Sequence, residues 1–431
     1  MAPDPASPNH PREIEEHRLA NGLTVVLHPD RRLPLVAINL WYHVGSKDER
    51  PGLTGFAHLF EHMLFQGSEN VSGTDHFRYL QQAGGVANGS TWYDRTNYYE
   101  TLPANQLDLG LWLESDRMGF LLPALTAAKL ETQRSVVINE RRQRVDNQPY
   151  GRASERINEL LYLPDHPYHW PVIGYLADIE AATLDDVRAF FAAHYTPANA
   201  VLTLAGSFEP GAALERVERW FGGLDPGGEP APAATPPDPA FRGERRALLE
   251  DEVQLARVYL AAQAPPYGEP GWYAADLLAR VLTSGKSSVL HEDLVYRREL
   301  ARNVTCYLLP TELTAPLTVV ATANPGRPIA ELERGIAEHL ERLAAEGPTA
   351  ADLERARNRV LTGLYEDLQT LDARADLLSQ HATFFRDPAR AFTETDRYQA
   401  VAADDVREAA RGYLVDGGRA VVTVLPRGGA G

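Results

Sequence analysis

Two histidines and a glutamate lie within five consecutive residues near the start of the chain. His58, Glu61 and His62 form the pattern H-x-x-E-H. On a helix, residues three and four positions apart share one face, so both imidazoles can bind one metal ion while the Glu61 carboxylate lies beside it. These are the groups of a hydrolytic zinc site. The alternative is an amphipathic helix with two core histidines, which the chance frequency of so short a motif keeps open.

A catalytic zinc ion needs a third protein ligand and one position left for water. The helix predicted over residues 126–144 offers two candidates, Glu131 and Glu140. Spacing alone does not choose between them, and an exposed helix charge is the ordinary role of such a residue.

Short strands and helices must position these groups. Strand-like runs at 23–27 and 36–44 precede the motif helix, and a helix around 75–82 and a strand pair around 86–102 follow it. Elements of mixed order, without strict alternation of strand and helix, predict the α+β class. We expect α/β-sandwich domains, each a mostly antiparallel sheet covered by helices.

The second half of the chain repeats the first. Residues 184–188 recur as 403–407, and residues 126–131 recur as 349–354 at nearly the same offset. Repeats of this length are whole domains, so we predict two homologous domains in tandem.

The duplication also provides an internal control on the motif. The corresponding helix of the second half carries Asp276, Ala279 and Arg280 in place of the motif residues. Only the first half therefore has the groups to bind the ion.

We predict four segments along the chain. They are a flexible N-terminal tail (1–11), a zinc-binding domain (12–221), a linker rich in Pro and Gly (222–243) and a homologous metal-free domain (244–427).

The composition limits the classes of partner. The formal charge of −17 disfavours binding to nucleic acid or to an anionic membrane, because both require a basic surface. The single cysteine, Cys306, excludes an internal disulfide framework. No apolar run approaches the ~20 residues that span a bilayer, and no secretory signal is visible. We therefore expect a cytoplasmic protein, and a periplasmic or secreted location stays open for a trimmed sequence.

The motif and its surroundings resemble the pitrilysin family of inverted-zincin metallopeptidases, in the branch that includes the mitochondrial processing peptidase. That family carries H-x-x-E-H followed, about 75 to 80 residues later, by a ligand Glu after an apolar run. Glu140 follows the apolar residues 136–138 at that distance. Residues 84–98, 146–151 and 195–200 match the family as well.

The resemblance implies roles for individual residues. His58, His62 and Glu140 would bind one Zn²⁺, and Glu61 would be the general base for the zinc-bound water. A strand beside the metal would bind an extended peptide through Asn88, Gly89, Ser90 and Thr91. Gln133 stands where the family usually has another Glu, and an amide carries no charge, so this departure puts a supporting carboxylate role in question.

A second departure concerns an Arg and a Tyr that active members bring from the later domain. The matching positions hold Val295 and Arg302. The resemblance therefore implies a zinc-dependent endopeptidase subunit that hydrolyses extended peptides in a closed chamber and forms a heterodimer with a homologous metal-free subunit supplying Arg and Tyr. A homodimer is less favoured. The alternatives are a non-catalytic scaffold subunit of a larger assembly and a peptide-binding protein.

Overall fold

The computed structural model describes residues 14–228 and 241–428. The predicted tail (1–11) and most of the predicted linker (222–243) lie outside these residues. The strands are β1 (Glu15–Arg18), β2 (Thr24–Pro29), β3 (Leu35–Tyr42), β4 (Val86–Thr91), β5 (Thr96–Pro103), β6 (Ala200–Gly206), β7 (Gly243–Asp251), β8 (Arg257–Ala264), β9 (Ala301–Leu308), β10 (Ala315–Ala323) and β11 (Gly418–Pro426).

The α-helices connect these strands and cover their faces. They are α1 (Phe56–Met63), α2 (Asp75–Gln82), α3 (Leu107–Ala124), α4 (Ala127–Arg141), α5 (Ala153–Leu161), α6 (Leu176–Ala181), α7 (Leu184–His194), α8 (Pro210–Phe221), α9 (Pro270–Thr283), α10 (Ile329–Glu346), α11 (Ala350–Asp367), α12 (Leu371–Phe385), α13 (Glu394–Ala400) and α14 (Ala403–Ala409). Short π-helical segments follow α4 at Arg142–Asp146, precede β9 at His291–Arg297 and follow α14 at Ala410–Val415.

The strands form two mixed sheets, and five strands of the first follow the same order as the five of the second; β1 is the additional strand. The first sheet runs β1-β2-β6-β3-β5-β4 and the second β7-β11-β8-β10-β9. Each sheet contains one parallel pair, β2 with β6 in the first and β7 with β11 in the second, and the other pairs are antiparallel. The α+β class is confirmed, and the repeated strand order agrees with a duplicated domain.

The described residues form two compact units that are discontinuous in sequence. The first comprises residues 14–140, 171–228 and 365–394, and the second comprises 141–170, 241–364 and 395–428. This division by contacts crosses the linear boundaries predicted from the sequence.

Two helices cause the crossing. Helix α5 packs on β7, β8 and β11 of the second sheet, and α12 packs on β3 and β6 of the first. The inward face of α12 is partly polar and bonds to residues of the first unit. The Arg374 guanidinium donates to Asp30, directly after β2, at 2.7 Å, and the Ser379 hydroxyl donates to Thr203 on β6 at 2.8 Å. Buried polar groups need such partners, so the docking of α12 is specific.

Candidate active site

Helix α1 carries the H-x-x-E-H motif and is anchored by its apolar side. Phe56, Leu59, Phe60 and Met63 are buried in the core of the first unit. The helix begins after Gly55, whose φ of 85° is in the left-handed region, which a residue with a Cβ rarely adopts. The three polar motif residues therefore lie on the face of α1 that does not pack into the core.

The buried Glu49 carboxylate caps the start of α1. It accepts hydrogen bonds from the backbone N–H groups of Gly55 and Ala57, both at 2.8 Å. These are among the first N–H groups of a helix, which have no partner within the helix itself, and the helix dipole favours an anion there. Burial raises the pKa of Glu49, and these hydrogen bonds oppose the rise. Glu49 thus fixes where the motif helix begins.

Glu140, near the end of α4, faces the two motif histidines. Its carboxylate oxygen lies 3.3 Å from His62 Nε2 and 3.8 Å from His58 Nε2. One ligand atom from each of these residues lies within 4.8 Å of the others, and the side chains are 12–22% exposed. Ligand atoms about 3.3–3.5 Å apart are what a tetrahedral zinc ion requires at its usual bond lengths. The three side chains therefore fit such an ion.

The other candidate on α4 lies elsewhere. The side chain of Glu131 is 64% exposed and ion-paired with Arg134. Gln133 is buried, seven residues before Glu140 and on the same face of the helix. The structure thus brings Glu140, and not Glu131, to the histidines.

Glu61 lies beside the three ligands and outside their set. Its Oε2 accepts a hydrogen bond from the Thr91 hydroxyl at 2.7 Å. Burial raises the pKa of Glu61, while the Thr91 hydrogen bond and the nearby His62 oppose the rise. A carboxyl group with a raised pKa next to a metal site is suited to accept and return a proton.

Strand β4 lies next to α1 and forms one edge of the first sheet. Successive side chains of a strand point to opposite faces. A Cβ on Gly89 would meet Glu61 Cγ at 3.3 Å, so Gly89 and Thr91 face the motif helix. Ser90 faces away, and its hydroxyl donates to Asn97 Oδ1 at 2.7 Å. Asn88 is exposed and accepts the Gly89 N–H at 2.9 Å. The four predicted substrate-binding residues therefore divide between two faces.

A second group of histidine and glutamate was not anticipated from the sequence. His76 on α2, Glu100 on β5 and Glu114 on α3 also bring ligand atoms within 4.8 Å of one another. All three are buried, and the Glu114 carboxylate pairs with Arg117 one helical turn on. No local motif links these residues, because sheet pairing and helix packing bring them together. The i, i+3 spacing of Glu114 and Arg117 was the one available signal.

The two positions predicted from the resemblance to correspond to the family's Arg and Tyr lie in the second unit. Val295 is half-buried in the π-helical segment His291–Arg297. Arg302 is exposed on β9.

Comparisons with known proteins agree with this fold. Residues 24–163 match the sequence profile described as "Insulinase (Peptidase family M16)", and residues 181–360 match "Peptidase M16 inactive domain". The zinc protease PqqE of Helicobacter pylori is 30% identical over 85% of this chain and 83% of its own length. A probable mitochondrial-processing peptidase subunit beta of Arabidopsis thaliana is 25% identical over 98% and 80%.

Solved structures give the same result. A protease from Helicobacter pylori superposes with a TM-score of 0.89 at 28% identity, covering 96% of this chain and 99% of that one. The chain therefore belongs to peptidase family M16, the pitrilysin family. Relatives named zinc proteases support a peptidase role and imply zinc for the family. Among the described residues, none of the helices is long and apolar enough to cross a membrane.

Proposed function

We propose that this chain is the metal-bearing subunit of a zinc-dependent endopeptidase. The observation that carries the proposal is the convergence of His58, His62 and Glu140 from two helices onto one point, with Glu61 adjacent. Two imidazoles and one carboxylate are the ligand set of a catalytic zinc site that keeps a fourth position open. A purely structural zinc site uses four protein ligands and has no need of Glu61.

The roles of the side chains follow from their chemistry. When bound, zinc would lower the pKa of a water molecule and polarise the scissile carbonyl. His58 and His62 would bind it as neutral imidazoles and Glu140 as an ionised carboxylate, because metal ligands must be deprotonated. Glu61 would accept the proton of the attacking water and deliver it to the leaving amine. Gln133 would support Glu140 by hydrogen bonding alone, since an amide carries no charge.

Strand β4 would bind the substrate. Among the described residues β4 is an edge strand that pairs only with β5. An extended peptide can add to such an edge through main-chain hydrogen bonds. The Asn88 carboxamide covers the Gly89 N–H, so an incoming peptide carbonyl would displace it. We therefore expect the substrate to be an extended peptide. Its binding to β4 would depend little on its side-chain sequence, because main-chain groups make these hydrogen bonds.

A homologous partner subunit would complete the site. Val295 and Arg302 stand where active members of the family have Arg and Tyr, and one relative is named a subunit of a processing peptidase. We therefore propose a heterodimer whose metal-free subunit supplies both side chains and closes a peptide-sized chamber.

Cleavage of an internally quenched peptide tests the proposal. The chain is assayed alone and with a co-expressed metal-free homologue, each with and without chelator. Zinc-loaded protein should hydrolyse the peptide, and chelator should abolish hydrolysis. Glu61→Gln should keep its zinc and lose kcat by about 10²–10⁴-fold. A Gln variant with near-normal turnover would contradict the role of Glu61, and zinc binding without hydrolysis in either preparation would indicate a scaffold. Full activity of the isolated chain would refute the need for a partner.

A further inference from the structure

Thr91 is the one predicted substrate-binding residue whose side chain bonds to a residue of the motif. Its hydroxyl donates to Glu61 Oε2 at 2.7 Å. Thr91 shares its face of β4 with Gly89, where a Cβ would stand 3.3 Å from Glu61 Cγ. The lack of a side chain at Gly89 leaves this space to Glu61, and Thr91 supplies the polar contact. The Thr91 side chain therefore points toward the motif helix and not along the free edge of the strand, where a peptide would bind.

A general base must hold its carboxylate in one orientation. Glutamate has several rotatable bonds, and ordering a group of this kind costs conformational entropy. Threonine is stiff at χ1 because it is β-branched, so the backbone of β4 sets the position of the Thr91 hydroxyl. The hydrogen bond therefore transmits the position of the strand to Glu61, and it occupies Oε2, which leaves Oε1 for proton transfer.

The backbone at Thr91 is itself held from the opposite face. Arg95 Nη1 donates to the carbonyl oxygen of Ser90 at 2.8 Å and to its hydroxyl at 2.5 Å. The Asn97 side chain accepts from Ser90 and donates to Asp376 on α12 at 2.9 Å. Asp376 accepts from the Trp41 indole as well, at 2.8 Å. Ser90 is thus bonded directly to Arg95 and Asn97, and through Asn97 it is linked to Asp376 on α12. Thr91 follows Ser90 directly in the chain.

We propose that Thr91 is a positioning residue that orients Glu61 and couples it to the substrate-binding strand, and that it does not bind the substrate through its side chain. This inference rests on the proposed function, since it assigns Glu61 the role of base. A peptide that adds as a further strand beside β4 would restrict the motion of β4 and, through the Thr91 hydrogen bond, the motion of the Glu61 carboxylate.

Two substitutions separate the hydroxyl from the shape of the side chain. Thr91→Val keeps the branched shape and removes the donor, and Thr91→Ser keeps the donor. In peptide cleavage by the zinc-loaded assembly, the Val variant should lose kcat by about 10–100-fold, the size expected for a hydrogen bond to a charged group. Its KM and zinc content should stay at the wild-type values, and the Ser variant should recover most of the loss. Thr362→Val, which removes a hydroxyl bonded to Asn358 O on the exposed face of α11, should behave as wild type.

Crystal structures of the wild type and of Thr91→Val provide a readout that does not depend on turnover. The Glu61 carboxylate should leave its wild-type rotamer, or divide between two, while His58 and His62 stay in place. An unmoved Glu61 with unchanged kcat would overturn the proposal. A rise in KM with unchanged kcat would mean that the Thr91 side chain binds the substrate, which would also overturn the proposal. Failure of the proposed function gives a different pattern, because Glu61→Gln would then retain wild-type turnover.

Discussion

Two clusters of histidine and glutamate in the first unit offer the same kinds of ligand and differ in their surroundings. The metal triad, His58, His62 and Glu140, and the buried cluster, His76, Glu100 and Glu114, each bring three ligand atoms within 4.8 Å. The triad is partly exposed, with side chains 12–22% accessible. The buried cluster is closed to solvent and lies beside Arg117.

The Arg117 guanidinium supplies a positive charge within the buried cluster. The guanidinium pairs with Glu114 and lies over the Tyr98 ring, 4.1 Å from its centroid. Burial raises the pKa of Glu100, and the neighbouring Glu114 charge raises it further. With Glu100 protonated, the Glu114–Arg117 ion pair leaves the cluster without net charge, which lowers the cost of burying these groups.

Ligand type and spacing therefore do not by themselves define a metal site. A divalent ion in the buried cluster would have to displace or repel Arg117 and would lack an open path for water. The triad is accessible, and Glu61 lies next to it. Charge balance and access therefore separate a candidate catalytic centre from a structural ion pair built of the same residue types.

The largest expected effect is at the triad. Glu140→Gln removes the charged ligand, so zinc content should fall from about one ion per chain toward zero and peptide cleavage should fall by at least about 100-fold. Glu131→Gln, on the same helix but exposed, is the matched control and should keep both. Zinc measured by mass spectrometry after dialysis checks the first result. Equal zinc in both variants would place the ion elsewhere.

The buried cluster should respond in stability and not in metal content. Arg117→Met leaves Glu114 as an uncompensated buried charge, which should cost about 3–5 kcal/mol. Denaturant unfolding followed by fluorescence measures the loss. The double variant Glu114→Leu, Arg117→Met should recover much of it, because the pair is then replaced by apolar groups. Zinc lost together with Arg117 would contradict the division between the clusters.

His28 tests whether burial beside an arginine keeps an imidazole neutral. It is buried, and burial, followed by the charge of Arg374, lowers its pKa to about 4. In the unfolded chain His28 takes up a proton near pH 6.5, whereas in the folded chain it does so only near pH 4. The neutral His28 therefore costs the folded state no stability above pH 6.5, and the folded state loses stability as the pH falls from 6.5 to 4. The loss should amount to about 3 kcal/mol.

Unfolding of the wild type and of His28→Phe at a series of pH values measures this term. Phenylalanine cannot titrate and keeps a ring against Phe392, whose centroid lies 5.6 Å from that of His28. The difference between the two proteins should therefore vary over pH 4–6.5 and be constant above it. If the free energies of unfolding of the two proteins run parallel over the whole pH range, protonation of His28 does not cause the pH dependence of stability.

The smallest effect is expected at the counterpart of α1 in the second unit. On α9, Asp276 is buried, accepts from the Tyr398 hydroxyl at 3.0 Å and lies 3.4 Å from Arg280. Tyr398→Phe removes one donor to a buried carboxylate and should cost about 1–2 kcal/mol, measured by the shift in unfolding midpoint. An unchanged midpoint would mean that Arg280 alone satisfies Asp276.

The sequence predicted the features that depend on local spacing. The H-x-x-E-H pattern predicted three side chains on one helix face. The family resemblance favoured Glu140 over Glu131 as the third ligand. In the structure Glu140 lies beside the histidines, and Glu131 is exposed. The repeated segments predicted a duplicated architecture, which the two sheets display. That the triad binds zinc remains a prediction.

Features that depend on long-range packing were beyond sequence reasoning. The buried cluster joins α2, β5 and α3 through sheet register, and no periodicity predicts that Glu100 will face Glu114. The docking of α12 on the first sheet follows from Arg374, Asp376 and Ser379, whose partners are far away in the chain. The family resemblance implies that Thr91 contacts the substrate, whereas its contact with Glu61 depends on how α1 packs against β4.

Anomalous diffraction at the zinc edge, from crystals of the Glu61→Gln variant soaked in zinc, would show directly where the ion binds. We expect one strong peak within about 2.2 Å of His58 Nε2, His62 Nε2 and a Glu140 carboxylate oxygen, and no peak at the buried cluster. A peak beside Glu100 and Glu114, or none near the two motif histidines, would contradict this expectation.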